Sequence, residues 1–215
     1  MDNDEVFSKE YLEAWNSYLY PGTDVLKNKL GITNQDELDK KEAELSFNRL
    51  VELNLEPING KFDKEHFKAI HKYIFQDLYD WAGEYRTVHM GKNNSSFADY
   101  KNLDGYLDYE LKMLNDEVKN VTSIDMFKLL IADYFITLLN IHPFRDGNGR
   151  ATREFLREFT IKKTEELGLG EYNLDWSSIT DEELDKYLPL ARFVKSPIEM
   201  LISKAIVPME KSKSL

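Results

Sequence analysis

The amino-acid sequence predicts an all-α domain, a helical bundle with one β-hairpin. In eight segments the apolar residues recur at three- and four-residue spacing, as in helices that bury one face. Between Glu84 and Tyr100 that spacing is lost. With 215 residues, of which 42% are hydrophobic, the chain can build one sizeable core. The predicted helices are Lys9–Tyr18, Asp36–Leu53, Asp63–Gln76, Asn102–Asn115, Ile124–Ile141, Arg150–Leu167, Asp181–Ala191 and Pro197–Ala205.

Several predicted helices begin at residues that cap helix N-termini. Asp36, Asp63, Asn102 and Asp181 stand at four of the starts. A short polar side chain at such a position accepts a hydrogen bond from a backbone N–H group that has no partner within the helix. Gly168 follows the sixth helix, where glycine commonly ends a helix in a left-handed conformation.

The helix over Ile124–Ile141 is apolar on almost every face, which is typical of a central, buried helix. It is not expected to span a membrane, because three charged residues interrupt the apolar run. Pro143 disfavours the helical conformation at the residue before it. We therefore expect the helix to stop at His142 and to present the imidazole at the mouth of a cavity.

The segment without helical spacing predicts a β-hairpin. Tyr85–Met90 and Gly91–Phe97 have the composition of two short strands around a turn.

The residues after His142 predict an anion site at the start of the next helix. Gly147 and Gly149 accept a positive φ, and Asn148 tolerates one better than most residues. Backbone N–H groups in such a turn can converge on one anion, and the N-terminus of the helix over Arg150–Leu167 adds its dipole. The turn is therefore a predicted phosphate site.

Charged side chains flank this turn. Asp146 suits a magnesium ion that also binds phosphate oxygens, and Arg150 and Arg153 share one helix face. Each feature alone has an ordinary explanation: a structural histidine, a simple turn, or solvated arginines paired with carboxylates. Their combination with His142 favours a polyphosphate site beside a base. Phe144 is predicted to be an aromatic anchor that pins the loop into the core.

The composition of the chain limits which classes of binding partner and which cellular location are expected. The net charge of −11 argues against nucleic acid or an anionic membrane as the main partner, and makes the local positive charge of Arg145, Arg150, Arg153 and Arg157 more noticeable. The absence of cysteine excludes disulfides and zinc–thiolate sites. The acidic N-terminus lacks the features of a signal peptide. We expect a cytoplasmic location, with delivery by a dedicated secretion system as the alternative.

The stretch His142–Arg150, with Arg153 after it, resembles the motif of the Fic family: His, any residue, Phe, any residue, Asp or Glu, Gly-Asn-Gly-Arg, two residues, Arg. This pattern is long and specific, and every defining position matches. Tyr20–Gly31 is similar to the start of such domains, and Ile70–Arg86 is similar to the helix and turn that lead into the family's flap. The likeness extends from about residue 20 to about residue 205.

The resemblance implies a single Fic domain over residues 1–215, with the hairpin as a flap over the active site. An N-terminal helical extension would cover about 1–60. The core would cover about 61–168, with the flap at 84–100, and the C-terminal helices about 169–208.

The activity that the resemblance implies is transfer of AMP from ATP to a Tyr, Thr or Ser hydroxyl of a target protein. His142 would take the proton from that hydroxyl, and Asp146 would hold Mg²⁺ against the α- and β-phosphates. The two arginines would bind the β- and γ-phosphates and stabilise the leaving pyrophosphate. Asn148 and the backbone of its glycine neighbours would bind phosphate oxygens, and Tyr187 would contact the adenine unless it only packs. The implied nucleotide-binding residues are thus Gly147, Asn148, Gly149, Arg150, Arg153 and Tyr187.

By the same resemblance, the flap pairs with an extended segment of the target protein, as an exposed strand edge can. Lys92 and Phe97 are the residues expected to position the target. The alternative is a surface lysine and an aromatic side chain that packs the hairpin. His66, His71 and His89 are expected to be structural or on the surface, since none has a second histidine or a cysteine at metal-binding spacing.

Many Fic proteins carry an inhibitory helix whose glutamate pairs with the arginine that matches Arg153. Its motif is Ser or Thr, three residues, Glu, then Gly or Asn. Thr33 to Glu37 and Ser178 to Glu182 both lack the last residue. We therefore expect inhibition by a separate antitoxin-like helical protein that supplies this glutamate, with a chain shortened at its C-terminus as the alternative.

Two other functions stay open. A transferase of this fold could move UMP, phosphate or phosphocholine instead, although the intact Gly-Asn-Gly-Arg and the second arginine favour AMP. A nucleotide-binding regulatory module with negligible turnover is the non-enzymatic alternative. His142 argues against it, because ATP binding alone needs no base.

Overall fold

The structure of the protein, a computed structural model, describes residues 8–92, 95–191 and 194–209. Within these ranges the chain forms eight α-helices and two small two-stranded sheets. The helices are α1 (Lys9–Ser17), α2 (Gln35–Leu55), α3 (Lys64–Phe75), α4 (Leu103–Glu117), α5 (Ile124–Ile141), α6 (Asn148–Glu166), α7 (Asp181–Tyr187) and α8 (Ser196–Ala205). The strands are β1 (Gly91–Lys92), β2 (Ser95–Ser96), β3 (Tyr172–Leu174) and β4 (Ile206–Pro208).

All the predicted helices are present, and local capping explains where several of them begin. Asp63 accepts a hydrogen bond from the third residue after it and starts α3, and Ser123 does the same for α5. Helix α6 begins two residues earlier than predicted, because Gly147 alone, with φ 75°, makes the turn. Asn148 is therefore already the first helical residue.

Helix α5 is the centre of the bundle and packs against α4, α6 and α8. Its buried side chains include Phe127 and Phe135, which are at most 1% exposed. Helix α6 also packs against α3, which in turn packs against α2. The loop between α5 and α6 carries the predicted motif and therefore lies at one end of the core. Across the described part of the chain, no helix combines the length and the apolar character needed to cross a membrane.

The hairpin is shorter and lies later in the chain than predicted. Strands β1 and β2 pair antiparallel, with Gly91 opposite Ser96. The predicted strand over Tyr85–Met90 is wrong, because the backbone N–H of Arg86 donates to the Pro143 carbonyl at 2.8 Å and binds this segment to the loop after α5. Residues 93 and 94 within the predicted hairpin, the acidic start and the tail after residue 209 lie outside the described residues.

A second sheet was not predicted from the sequence. Strands β3 and β4 pair antiparallel, with Asn173 opposite Val207. The two segments are far apart in sequence, and each is only three residues long. Such short strands carry no readable alternation, so only the packed structure brings them together.

Candidate active site at the loop between α5 and α6

His142 stands at the C-terminal end of α5 in a left-handed conformation, with φ 51° and ψ 60°. Its ring nitrogen Nδ1 lies 3.3 Å from the carbonyl oxygen of Leu139. A carbonyl oxygen only accepts hydrogen bonds, so Nδ1 carries the proton in this contact. The neutral imidazole then keeps its lone pair on Nε2, which is the form that a general base needs.

The surroundings of His142 keep the imidazole neutral. The ring of Phe97 stacks flat on it, with 3.8 Å between ring centroids and 1° between ring planes. The pKa of His142 is lowered to about 4, chiefly by burial and with a smaller contribution from the charge of Arg86, against the opposing effects of the Leu139 carbonyl and of Asp146.

We expect an NMR titration of the His142 ring to have its midpoint near pH 4 in the nucleotide-free protein. The sign follows from the cause: burial disfavours the charged imidazolium, so protonation requires a lower pH than for a free histidine, and the neutral form persists through neutrality. A midpoint at or above the ordinary value of about 6.5 would contradict this environment.

Asn148 holds the loop together through its side chain. Its Oδ1 accepts from the N–H of Phe144 and its Nδ2 donates to the carbonyl of Phe144, both at 2.8 Å, and the residue is 2% exposed. The side-chain amide therefore faces the loop interior, whereas the resemblance implied a contact with phosphate. The backbone N–H groups of the first turn of α6 lie at a helix N-terminus that no side chain of the described residues caps. These groups are donors for an anion.

Phe144 and His71 fix the same loop from beneath. Both are fully buried, and their rings stack at 3.7 Å. The N–H of Gly83 donates to Nδ1 of His71 at 2.9 Å, so the ring proton is on Nε2, which donates to the carbonyl of Asp146, also at 2.9 Å. Burial lowers the pKa of His71 to about 3, so the ring stays neutral. Phe144 is thus packed in the core beneath the loop, as expected of an anchor. His71 links α3 to the loop through its hydrogen bond to the Asp146 carbonyl.

Asp146 offers a partly exposed carboxylate next to Gly147 and Arg150. Its side chain is about half exposed, its Oδ1 accepts from the N–H of Gly147 at 2.5 Å, and the same oxygen is 4.0 Å from Nη2 of Arg150. Among the residues that the structure covers, no three acidic, histidine or cysteine side chains gather into a metal site. The single carboxylate of Asp146 still fits Mg²⁺, because protein sites commonly bind this ion through one or two carboxylates together with phosphate oxygens.

Arg150 is held by α2. Its Nη2 donates to Oε1 of Glu42, and its Nη1 donates to Oγ of Ser46 at 3.1 Å. The hydroxyl of Tyr79 donates to the other oxygen of Glu42, and the guanidinium lies 4.6 Å above the ring of Phe75. The chain therefore supplies its own carboxylate partner to one of the two motif arginines.

The other arginines have separate environments. Arg157 forms a buried, two-point ion pair with Glu154, at 2.9 and 2.6 Å, and so does not add charge to the site. The guanidinium of Arg145 lies 4.5 Å above Trp15 of α1. Arg153 is half-buried on α6, and its carbonyl accepts from the indole of Trp176 at 3.0 Å. The predicted cluster of positive charge is thus divided among different partners.

A cavity of about 230 Å³ opens beside His142. Gly149 lies at its wall together with Ile136 and Leu139 of α5, and the flap contributes Lys92 and Phe97. The far wall comes from Asp185 of α7 and from Leu188 and Pro189, which follow that helix. Tyr187 is not among the lining residues of the described chain and packs against the core instead.

The flap is tied to its surroundings on both sides. Nζ of Lys92 lies 3.1 Å from Oδ1 of Asp185, an exposed ion pair at the cavity. At the base of the flap, the N–H of Thr87 donates to the hydroxyl of Tyr18, the residue after α1, at 3.1 Å, and the hydroxyl of Tyr11 in α1 donates to the carbonyl of His89 at 3.2 Å. Helix α1 therefore contacts both the flap and the motif loop.

Sequence reasoning missed three residues that organise this site: Glu42, His71 and Arg86. His71 was expected to be structural, and it is buried, but its link to the Asp146 carbonyl could not be read from spacing. Glu42 lay in a segment that resembled an ordinary charged helix. Arg86 was part of the stretch that resembled the family, yet no role was assigned to it.

The structure is thus a helical bundle in which a histidine at the end of one helix stands beside the uncapped N-terminus of the next. The sequence model of the Fic/DOC family matches residues 61–160. The chain is 36% identical over 180 residues to protein adenylyltransferase VbhT of Bartonella schoenbuchensis. This match covers 83% of the chain and 36% of VbhT. It is 36% identical over 148 residues to the probable protein adenylyltransferase y4lH of Sinorhizobium fredii. That match covers 66% of the chain and 73% of y4lH.

A solved structure agrees with these matches. The VirB-translocated effector protein BepC of Bartonella tribocorum, with bound AMPPNP, superimposes with a TM-score of 0.78 at 27% identity, over 91% of this chain and 98% of that chain. The chain belongs to the Fic/DOC family, and the family and all-α fold predicted from the sequence are confirmed. It spans 36% of the length of VbhT but most of y4lH.

Proposed function

We propose that the chain is a protein adenylyltransferase, which transfers AMP from ATP to the hydroxyl of a Tyr, Thr or Ser side chain in a target protein. The observation that carries the proposal is a single cavity with His142 and the uncapped N-terminus of α6 at its wall. The neutral imidazole has its lone pair on Nε2, so a base stands beside an anion site. The names of VbhT and y4lH describe the same activity in those proteins.

The transfer is a substitution at the α-phosphorus. The hydroxyl oxygen of the target attacks this phosphorus while its proton passes to Nε2 of His142. The bond from the α-phosphorus to the oxygen that bridges it to the β-phosphate breaks, and pyrophosphate leaves. Base catalysis and a fixed nucleotide are what this step requires.

The first turn of α6 would bind phosphate oxygens through its backbone N–H groups, aided by the helix dipole. Arg150 and Arg153 would add fixed positive charge where the leaving pyrophosphate develops negative charge. Asp146 would hold Mg²⁺, which when bound neutralises phosphate charge. For Arg150 this requires the guanidinium to bind phosphate with donors that Glu42 and Ser46 leave available, or to exchange partners.

The target segment would lie along the flap. Strands β1 and β2 are short, and Lys92 at their edge is exposed. An extended peptide can add to such an edge through main-chain hydrogen bonds. Phe97, which is stacked on His142, would then face the acceptor side chain and limit where its hydroxyl can sit.

Regulation and location are further parts of the proposal. A separate antitoxin-like protein that supplies a glutamate to Arg153 would block productive ATP binding. We place the activity in the cytoplasm, with delivery as a secreted effector as the alternative, because BepC is named as a translocated effector.

The proposal is tested by mass spectrometry of the purified protein and of a cell lysate after incubation with Mg²⁺ and either ATP or UTP. We expect proteins that gain the mass of AMP with ATP, only when His142 is intact. A reaction without nucleotide is the control. A gain with UTP alone would move the assignment to UMP transfer. No gain with either nucleotide, by a protein that binds ATP, would refute the proposed transfer.

A further inference from the structure

Arg86 is a buried cation at the base of the flap. It is 1% exposed, and none of the ion pairs found between described residues includes it. Its guanidinium donates instead to main-chain carbonyls: Nε to His142 at 2.7 Å, Nη1 to Val88 at 2.6 Å, and Nη2 to Ala98 at 2.6 Å and to Ile141 at 3.4 Å. A single side chain thus satisfies four backbone acceptors.

These four carbonyls belong to two different parts of the molecule. Val88 precedes β1 and Ala98 follows β2, so they mark the two stems of the flap. The other two carbonyls end α5, one of them on His142 itself. The backbone extends this link, since the N–H of Ala98 donates to the carbonyl of Asn140 at 3.2 Å.

The end of α5 provides a physical reason for a cation at this position. The last carbonyls of a helix have no partners within the helix and form the negative end of its dipole. His142 also has a left-handed backbone, with φ 51°, which an L-residue other than glycine keeps only when its surroundings enforce it. The hydrogen bond from Arg86 to the His142 carbonyl acts directly on that backbone.

We propose that Arg86 is a positioning residue that joins the flap and His142 into one rigid unit and so sets where the target hydroxyl meets Nε2. This inference rests on the proposed transfer to a protein segment at the flap. Arg86 does not line the cavity, so it acts through the carbonyls that it binds. Phe97, which lies between β2 and the stem at Ala98, stacks on the His142 ring.

The test is Arg86→Lys, which keeps the positive charge and removes the planar fork of five donors. We expect kcat/KM for the target to fall by about 10²-fold, because a displacement of about 1 Å at a reacting centre has an effect of that size. Both a higher KM for the target and a lower kcat should contribute. The dissociation constant for AMPPNP, measured by calorimetry, should not change, since the anion site on α6 does not contact Arg86.

A second readout does not depend on transfer. Hydrogen exchange of the backbone amides of Ala98 and His142 should become faster together in Arg86→Lys, while amides of α4 keep the wild-type rate. Arg49→Lys is the matched control, since Arg49 pairs with Asp77 and Glu52 outside the cavity.

Three results would overturn the inference. The first is a wild-type kcat/KM in Arg86→Lys. The second is faster exchange in the flap with no change at His142, because the two would then not be one unit. The third is uniformly faster exchange along the chain, which would mean that Arg86 stabilises the whole fold and does not specifically join the flap to His142. If the wild-type protein transfers no AMP, the proposed function fails, and the exchange experiment still decides whether Arg86 couples the two parts.

Discussion

Replacing His142 by asparagine is expected to lower the rate of AMP transfer by about 10²–10⁴-fold, the usual contribution of general acid–base catalysis. Asparagine is preferable to alanine because residue 142 has φ 51°, and asparagine tolerates a left-handed backbone better than most residues. The side chain that accepts the proton is lost, while the backbone of the loop is retained. The affinity for ATP should therefore not change.

The measurement is a set of initial rates at saturating ATP, together with calorimetry of AMPPNP binding. His89→Asn is the matched control, because His89 is an exposed histidine in the stem of the flap segment that does not line the cavity. It should transfer AMP at the wild-type rate. If His142→Asn also transferred AMP at the wild-type rate, another group would be the base. The tautomer of His142 with its lone pair on Nε2 would then have no role in catalysis.

Replacing Gly147 by alanine should both destabilise the protein and abolish ATP binding. Gly147 has φ 75°, and a Cβ atom there would lie 2.2 Å from the ring of Phe75. The left-handed conformation costs an L-residue about 1–2 kcal/mol, and overpacking costs about 1–3 kcal/mol. The free energy of unfolding should therefore fall by about 2–5 kcal/mol, a large part of the about 5–15 kcal/mol of a typical domain.

Gly149→Ala is the matched control for this substitution. A Cβ at Gly149 meets nothing within 4 Å, and Gly149 is a helical residue of α6. We expect its midpoint of thermal unfolding to be no lower than that of the wild type, since alanine favours a helix more than glycine does. Any loss of AMPPNP affinity then reports crowding at the anion site alone. A wild-type melting temperature for Gly147→Ala would show that the turn can change its conformation, and would contradict the assigned role of Gly147.

The helices and the motif could be predicted because their signals are local. Apolar spacing defined α5 as a central helix, and Pro143 predicted its end at His142, where the structure ends it. The turn at Gly147 was predicted from residue type, since glycine accepts a positive φ. Each of these inferences depends on residues a few positions apart.

The unpredicted features depend on contacts between distant residues. Asn148 had the residue type of a phosphate ligand, but its side chain is used by Phe144. The strand predicted at Tyr85–Met90 is absent because the backbone N–H of Arg86 bonds to the Pro143 carbonyl of a distant loop. No local pattern reveals which of several surface-like charged residues, such as Glu42, will meet an arginine more than a hundred positions away.

The partnership between Glu42 and Arg150 bears on how this protein could be recombined with its relatives. The segment that the family model matches, residues 61–160, contains Arg150 but neither Glu42 nor Ser46. It also leaves out α1, whose Trp15 lies under the guanidinium of Arg145. The segment that the family model matches is thus smaller than the structural unit that orients its arginines. A chimera joined at residue 61 would keep the motif but lose the contacts of Glu42, Ser46 and Trp15. A chimera that is to keep these contacts must be joined upstream of α1.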